Sequence, residues 1–415
     1  MSDIAVAGAE HCPVSIRNYE NVEPWAAYDM LRGQASLIWD EPMQAWIVLG
    51  YELCTHIEIN ENRFRNAYQD APPVVVQIKG GGRNITMLDG EEHRRMRHFF
   101  MSLMTPALVE GYRQQQIEPV IRLLMQRILA KGTRRADLTS EFGDQIPARV
   151  IAALLGMPWQ DDALVAKILH LHEEIMEVIG LSFATEEIRQ RGLRVSQDLN
   201  NLLLPYIRNR REHPQDDFIS RVWTKAPGEF GADLTEEDAV AISRELFLGG
   251  ADTTMHGIAN VNYLILTNRE VRQAVELDRK KNISLAVEES MRLYGSVMYR
   301  FRIANQDCTL DGVEVGKDQK LILLHSAANR DPAKFGCPHE ADLARPRLSD
   351  HLAFNKGPRS CVGISLARAE MRDALAAVLD YLPNVNLDPD AEPPHFKSLF
   401  MRSWRPINVS FDNPS

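Results

Sequence analysis

A single cysteine near the end of the chain is placed where it could bind a metal. Cys361 lies between Gly357 and Gly363, just ahead of residues 364–370, which are good helix formers. Backbone N–H groups and the positive end of a helix stabilise a thiolate, and the two glycines would let a flat macrocycle approach the backbone. No second cysteine or histidine stands nearby at zinc spacing, whereas one thiolate suffices as the axial ligand of haem iron. The alternative is a buried structural cysteine.

The residues around Cys361 form the pattern F-x-x-G-x-R-x-C-x-G, which begins at Phe354 and includes Arg359. This pattern resembles the haem-binding signature of the cytochrome P-450 monooxygenases at every fixed position. One departure is Asn355, where many bacterial members carry glycine. The resemblance implies that Cys361 binds the iron of haem b, that Phe354 shields the sulfur, and that Arg359 and Gly363 also contact the cofactor.

A second stretch with reactive side chains interrupts a long apolar helix. Thr235 and Asp238 have the spacing of a capping box, and the apolar run after them predicts a helix of about 33 residues, or about 50 Å. In its middle, Gly249 and Gly250 each cost about 1 kcal/mol relative to alanine, which usually indicates a function. A threonine hydroxyl there can hydrogen-bond to the carbonyl one turn earlier and bend the helix. For the glycine pair taken alone, close packing between helices would be the better explanation.

The glycine pair is followed by Asp252 and Thr253, so that residues 249–254 match the family's oxygen-binding groove, G-G-x-D-T-T. The resemblance implies that Thr253 hydrogen-bonds dioxygen and that Asp252 takes part in relaying protons to it. It also implies that Gly249 and Gly250 border the cofactor.

Basic residues at two further places match positions at which the family binds the haem propionates. His93 and Arg97 are four residues apart and therefore share one face of a predicted helix that is acidic at its start. A basic helix face taken alone is usually only solvated. The resemblance identifies this pair, together with Arg302 rather than Arg300, as propionate ligands.

Glu289 and Arg292 lie three residues apart on one predicted helix face, a spacing that usually marks a surface ion pair. Their distance from Cys361 in the sequence resembles that of the family's buried Glu–Arg pair, whose role is structural. In the family a further arginine completes this pair. We expect it to be Arg345, with Arg347 as the alternative.

Length and composition limit the kind of protein that carries these residues. The chain has 415 residues, 45% of them hydrophobic, and contains no linker or repeat. We therefore expect a tail of residues 1–20 followed by a single domain that spans residues 21–415. A net charge of -10 argues against nucleic acid as a partner. Five scattered cysteines suit a reducing cytoplasm. We find no signal peptide and no apolar stretch near the ~20 residues that span a bilayer, so we expect no membrane anchor.

Most of the chain has helical periodicity. The pattern is helical almost throughout residues 106–231, including amphipathic helices at 161–180 and 185–211. The resemblance implies a mainly α fold with small β-sheets, in which the haem lies between the long central helix and the helix after Cys361. Short apolar runs predict strands at residues 45–49, 299–307, 310–315 and 320–325, and a last hairpin at 396–411.

Residues 66–89 have no helical period over most of their length, and they resemble the loop that roofs the family's substrate pocket. The alternative is a flexible surface loop. The pocket residues implied by the resemblance are all apolar, so we expect a small or mid-sized hydrophobic substrate such as a terpenoid, aromatic or steroid. These residues are Val74, Val75, Val76, Leu246, Phe247, Val297, Met298 and Phe400.

The resemblance covers roughly residues 40–411 and implies a monooxygenase that inserts one atom of O2 into a C–H bond of its substrate. No G-x-G-x-x-G follows a strand, so the electrons must come from another protein. We expect an iron–sulfur ferredoxin with a separate reductase, attracted by Arg94, Arg95, Lys356 and Arg368. The alternatives are a haem-thiolate peroxygenase or isomerase, and a non-catalytic haem sensor or carrier.

Overall fold

The computed structural model describes residues 14–19, 22–81, 83–180, 185–230, 234–396 and 400–413. Helices dominate these ranges and the sheets are small, which confirms the predicted fold class. The α-helices are α1 (Trp25–Gln34), α2 (Tyr51–Ile59), α3 (Pro73–Ile78), α4 (Gly90–Ser102), α5 (Pro106–Tyr112), α6 (Glu118–Ala130), α7 (Gln145–Leu154), α8 (Asp162–Gly180), α9 (Glu186–Glu212), α10 (Phe218–Phe230), α11 (Glu236–Gly250), α12 (Asp252–Thr267), α13 (Arg269–Leu277), α14 (Arg279–Tyr294), α15 (His325–Ala328) and α16 (Ile364–Tyr381).

Short 3-10 and π-helical turns connect several of these helices. The 3-10 turns are Ile16–Tyr19, Ala67–Asp70, Leu348–Asp350 and Gly357–Arg359, and the π-helical turns are Arg113–Ile117 and Thr139–Gly143. The strands are β1 (Leu37–Asp40), β2 (Ala45–Val48), β3 (Phe64–Asn66), β4 (Arg135–Asp137), β5 (Arg300–Ala304), β6 (Cys308–Leu310), β7 (Val313–Val315), β8 (Lys320–Leu323), β9 (Asn386–Leu387), β10 (His395–Phe396), β11 (Trp404–Arg405) and β12 (Asn408–Ser410).

The largest sheet has five strands in the order β1-β2-β8-β5-β3, in which only β2 and β8 run parallel. Strand β12 lies between β4 and β9, while β6 pairs with β7 and β10 with β11. Residues 299–307 and 310–315, each predicted as one strand, form three strands, β5, β6 and β7, of which β6 and β7 pair with each other. Strand β5 pairs with β8 on one edge and with β3 on the other, within the larger sheet.

The central helix is divided into α11 and α12 by one residue, Ala251, at its middle. The capping box predicted at its start is confirmed: the Thr235 hydroxyl accepts a hydrogen bond from the Asp238 N–H, and the Asp238 carboxylate accepts one from Thr235 N–H. Helix α12 packs on α14 and α16. A Cβ at Gly257 would lie 2.6 Å from the Met371 sulfur, so this glycine permits the close approach of α12 to the helix that follows Cys361.

Three boundaries differ from those predicted. Ser15 and Ile16 are buried and hydrogen-bonded to Asp40, so the fold includes residues before the predicted start at 21. The strand predicted for residues 320–325 ends at Leu323, and a short helix begins at His325. Residues 74–76 lie in α3, a six-residue helix with proline at its first position, which is too short to show helical periodicity.

Candidate active site

The loop from residue 354 to 363 closes on itself, because the Cys361 N–H donates to the Phe354 carbonyl at 2.8 Å. Asn355 has φ +56°, a left-handed conformation that asparagine adopts more readily than most residues, and its Oδ1 accepts a hydrogen bond from Arg300 Nε at 3.1 Å. Gly357 has φ +68°, and a Cβ there would lie 3.0 Å from Ile59 Cα. Gly357 thus makes room for α2.

The sulfur of Cys361 lies where this loop meets α16. Burial raises the pKa of the thiol, whereas the N–H of Gly363 and the guanidinium groups of Arg300, Arg97 and Arg368 act in the opposite direction. Several positive groups therefore face the sulfur, although burial still disfavours a free thiolate. A metal ion bound to the sulfur would supply the remaining stabilisation, because coordination deprotonates a thiol outright.

Helix α4 directs two basic side chains toward the cysteine loop. Arg97 donates to the Ser360 hydroxyl at 2.8 Å and also to the Ser360 carbonyl. His93, one turn earlier, is buried; its burial and the charges of Arg359 and Arg97 lower its pKa to about 4. His93 is therefore a neutral imidazole at pH 7.

Two further arginines contribute charge at this loop, Arg302 beside it and Arg359 within it. Arg302 on β5 is 4% exposed, its Nη2 lies 3.8 Å from Glu58 Oε1, and its Nε has no hydrogen-bond partner among the described residues. Burial lowers the pKa of its guanidinium group. Arg359 pairs with Glu61 and donates to the Leu88 carbonyl at 2.9 Å.

These groups fit a cofactor that carries carboxylates. Arg97, Arg300, Arg302 and Arg359 lie at the site, whereas the carboxylates within 4 Å of them among the described residues are those of Glu58, Glu61 and Asp89, which leaves one positive charge in excess. A buried cation without a partner is costly, so an anionic ligand would stabilise the arrangement. A haem would provide two propionates as partners for these cations and an iron ion as the partner of the Cys361 thiolate. Within the described ranges, no cluster of three or more acidic, His or Cys side chains could hold a bare metal ion.

The interruption of the central helix gives the two glycines different roles. Thr253 Oγ1 donates to the Gly249 carbonyl at 3.0 Å, which confirms the hydrogen bond predicted from the sequence. Gly249 is exposed although it lies mid-helix, and a Cβ there would meet no atom within 4 Å. A Cβ at Gly250 would lie 2.6 Å from Ile151 Cδ1, so this glycine lets α7 pack against the helix. Only Gly249 opens directly onto free space.

Asp252 is buried and faces two histidines that the sequence analysis did not assign to the site. Its Oδ1 lies 3.8 Å from Nδ1 of His172 and 3.6 Å from Nε2 of His256. The other nitrogen of His172 lies 3.2 Å from the Leu248 carbonyl, which can only accept, so this nitrogen carries a proton. The Nδ1 of His256 lies 2.7 Å from the Ser403 hydroxyl.

Further charged groups surround this carboxylate–histidine cluster. Burial lowers the pKa of His256 to about 4, Asp252 opposes this effect, and Arg405 and His172 reinforce it. Burial also raises the pKa of Asp144 to about 6 despite its ion pair with Arg405 at 2.5 Å. His256 follows Asp252 by four residues and could have been found from helix periodicity. His172 comes from another helix, and no local signal places it there.

The residues expected to line a substrate pocket differ in their exposure. Val74, Val75 and Val76 are half-buried on α3, which packs against α9. Phe247 is completely buried in the main core with its ring 5.7 Å from that of His172, and therefore lies on the side of the helix opposite Gly249. Its ring is therefore not exposed to the space onto which Gly249 opens. Leu246 is 6% exposed and belongs to the same core.

The remaining three pocket candidates lie together near the C-terminal hairpin. The Met298 N–H donates to the Phe400 carbonyl at 3.0 Å, and Val297 forms a β-bridge with Met401. Val297 and Met298 are almost completely buried, whereas Phe400 is half-buried against Tyr299. Leu399, predicted at the tip of this hairpin, lies outside the described residues.

The buried acid–base pair has the arrangement that the sequence predicts. Glu289 and Arg292 are both 0% exposed and share two hydrogen bonds of 2.7 and 2.8 Å. Arg345 Nε lies 3.5 Å from Glu289, whereas Arg347 is exposed. Arg345 therefore completes the pair. Arg292 also donates to three backbone carbonyls, which ties α14 to the segment before the cysteine loop.

The four cations expected to attract an electron donor all have acidic neighbours. Arg94 and Arg95 both pair with Glu91 on the exposed side of α4. Lys356 lies 3.7 Å from Asp350, and Arg368 pairs with Glu288 through both of its oxygens. A depression of about 240 Å³ opens beside the sulfur, lined among others by Met101, Met104, Phe354, Cys361, Val362 and Ile364.

Comparison with known proteins agrees with this site. The profile of the cytochrome P450 family matches residues 28–411. The chain therefore belongs to the cytochrome P450 family. Within that family, it is an oxidoreductase of the monooxygenase type, since similar proteins are named as hydroxylase, epoxidase and monooxygenase.

Several relatives are bacterial and similar over most of their length. The biotin biosynthesis cytochrome P450 of Bacillus subtilis is 28% identical over 88% of this chain and 90% of its own. The mycinamicin IV hydroxylase/epoxidase of Micromonospora griseorubida is 29% identical over 83% of both chains. The crystal structure of P450BioI in complex with a hexadec-9Z-enoic acid ligated acyl carrier protein has a TM-score of 0.83 at 25% identity, covering 94% of this chain and 99% of that one. In the described part of this chain, no helix has both the length and the apolar character needed to cross a membrane.

Proposed function

We propose that this enzyme is a haem-thiolate monooxygenase that uses O2 and electrons from an iron–sulfur ferredoxin to oxidise a C–H bond of a hydrophobic substrate. The hydrogen bond from Thr253 to Gly249 carries the proposal most directly, because it places a hydroxyl beside the open side of the central helix. Haem b held by Cys361 would supply the oxidising chemistry, since a thiolate ligand favours cleavage of the O–O bond. His93, Arg97, Arg302 and Arg359 would hold the propionates, Phe354 and Gly363 the proximal side.

The protein's own contribution to the reaction is the delivery of protons. We propose that the Asp252 side chain, which directly precedes Thr253, rotates to pass a proton to the Thr253 hydroxyl. His172 donates through Nε2 to the Leu248 carbonyl, and its Nδ1 lies 3.8 Å from Asp252 Oδ1. This cluster would therefore act as a proton store behind Thr253.

The ferredoxin would dock on the surface where the depression beside Cys361 opens. Arg97 lines this depression, and one turn earlier on α4, Glu91, Arg94 and Arg95 together carry a charge of about +1, which replacing both arginines by glutamine would change to about -1. We expect Arg94→Gln/Arg95→Gln to slow reduction by ferredoxin, most strongly at low salt. The matched control is Arg208→Gln, an exposed arginine that also pairs with a glutamate. Equal rates in all three proteins would contradict docking at this face.

The first experiment is the spectrum of the reduced, carbon-monoxide-bound protein for wild type and Cys361→Ser. We expect the wild type to show the band of a thiolate-bound haem and the variant to lose it. A thiolate-type band that survives the substitution would exclude Cys361 as the ligand. Activity that needs only peroxide and is unaffected by Thr253→Ala would instead favour a peroxygenase.

A further inference from the structure

A carboxylate lies on the open face of the central helix, two turns before Thr253. Glu245, Gly249 and Thr253 follow at intervals of four residues and therefore share one face. All three are exposed or half-buried, whereas residues 246–248, 251 and 252 between them are buried. Glu245 thus faces the space onto which Gly249 opens, although the sequence analysis expected only apolar residues there.

One oxygen of Glu245 is held by the segment that covers this face. The Asn84 side-chain amide donates to Glu245 Oε1 and to the Lys79 carbonyl at 3.1 Å. Asn84 is itself 0% exposed, and its oxygen accepts from the N–H and hydroxyl of Thr86 at 3.0 and 2.6 Å. The other oxygen of Glu245, Oε2, receives no hydrogen bond from any described residue. The carboxylate is therefore fixed at one oxygen and available at the other.

A cation of the same segment is also left with an incomplete set of partners. Lys79 is 6% exposed, and its ammonium group lies 3.8 Å from the centre of the Tyr68 ring. It forms no ion pair with any carboxylate in the described part of the chain. Burial raises the pKa of Glu245, and Lys79 is the strongest of the groups that oppose this shift, ahead of Asn84 and Arg244.

Arg244, the residue next to Glu245, does not neutralise it. Its guanidinium group donates to the carbonyls of Ser196 and Ile78 and to the Asn200 side chain, at 2.6 to 2.9 Å. Arg244 is completely buried and is used to join α11 to α9 and α3. Glu245 and Lys79 thus remain as two opposite charges of one region, separated by more than the 4.0 Å of an ion pair.

We infer that Glu245 and Lys79 bind a neutral polar group of the substrate, a hydroxyl or a primary amide, at one end of an otherwise hydrophobic molecule. Such a group can donate to Glu245 Oε2 and accept from Lys79 at once. A substrate carboxylate would be repelled by Glu245 and an ammonium group by Lys79, whereas an apolar end would leave Glu245 Oε2 and the Lys79 ammonium group without a hydrogen-bond partner.

This inference rests on the proposed function, because it places the oxidised carbon at the Thr253 end of the same face. Eight residues separate Glu245 from Thr253, which corresponds to about 12 Å along a helix. The polar group would therefore fix which carbon of the substrate is oxidised.

An iron-anchored series of probes tests the inference in the haem-loaded enzyme. We would titrate 1-alkylimidazoles of increasing chain length, from butyl to dodecyl, that end in either a primary amide or a methyl group. The imidazole nitrogen binds the haem iron and shifts its absorption band. We expect the amide to bind more tightly than the methyl group at an intermediate length only, since the amide must reach a site about 12 Å along the helix.

Substitutions test whether Glu245 and Lys79 cause the preference for the amide-ended probe. Glu245→Leu should reduce the affinity for the amide of best length by about tenfold, with no loss for the methyl-ended probe. Lys79→Met should act in the same direction, and Glu245→Gln, which keeps the shape of the side chain, serves if the leucine variant does not fold. The matched control is Glu237→Gln, an exposed glutamate on the same helix.

Three outcomes would overturn the inference. The first is an amide preference that does not depend on chain length, and the second is the same affinity in Glu245→Leu as in wild type. The third is tighter binding of probes that end in a carboxylate or an ammonium group. Failure of the proposed function would look different, because no imidazole would then shift the haem band.

Discussion

The buried imidazole of His256 makes the fold sensitive to acid. The ring faces Asp252 and His172 on one side and Ser403 on the other, with Arg405 nearby, and its pKa is lowered from 6.5 to about 4. The unfolded chain therefore binds a proton that the folded chain excludes when the pH lies between these two values. Stability is fully present above pH 6.5 and falls as the pH is lowered toward 4.

The size of this effect follows from the shift in pKa. Between pH 7 and pH 5, the difference in proton binding at His256 lowers the free energy of unfolding by about 2 kcal/mol. We would measure this by chemical unfolding of wild type and His256→Gln at both values. The variant also loses the hydrogen bond to Ser403, which costs about 1 kcal/mol, but it does so at both pH values and the loss cancels in the comparison.

We expect the wild type to lose about 2 kcal/mol more than His256→Gln between pH 7 and pH 5. The matched control is His213→Gln, an exposed histidine, which should behave as the wild type does. A parallel loss in wild type and His256→Gln would refute the reasoning, because it would mean that His256 titrates normally in the folded protein.

Two further predictions concern the oxygen groove and the buried ion pair. Thr253→Ala removes the hydroxyl that donates to the Gly249 carbonyl, so we expect at least roughly tenfold less product per O2 consumed. The assay can use any compound that shifts the haem spectrum. Thr253→Ser keeps the hydroxyl and should retain most of the yield. Equal yields would contradict a role in proton delivery. Arg345→Met leaves part of the Glu289 charge unpaired and should lower stability by about 3 kcal/mol, measured by thermal unfolding, whereas Arg347→Met should have little effect. A larger loss in the Arg347 variant would reverse the assignment.

The sequence was sufficient wherever a few neighbouring residues determine the local structure. The capping box at Thr235 and the hydrogen bond of Thr253 both involve residues within four positions, and both were predicted correctly. The pairing of β5 was not, because strand partners come from distant segments. The sequence left open whether Arg345 or Arg347 completes the buried pair of Glu289 and Arg292, because the two arginines lie two positions apart and carry the same charge. The structure places Arg345 beside Glu289.

Residues in the candidate site were missed for two physical reasons. His172 reaches Asp252 from a helix that lies far away in the sequence, and no period within α8 reveals such a contact. Glu245 was overlooked because a charged residue in an apolar helix is normally assigned to the solvated face. The structure places it on the face that also carries Gly249, where a carboxylate needs partners from the covering segment.

The contact between Gly357 and α2 has a consequence for electron transfer. The Lys356 N–H donates to Glu58 at 2.8 Å, and the same carboxylate also lies near Arg302 and His325. These contacts with α2 therefore fix the position of the cysteine loop. Since the reduction potential of a haem depends on its axial ligand and on the surroundings of that ligand, substitutions at residue 58 should alter how readily the iron accepts an electron without touching either dioxygen or the substrate.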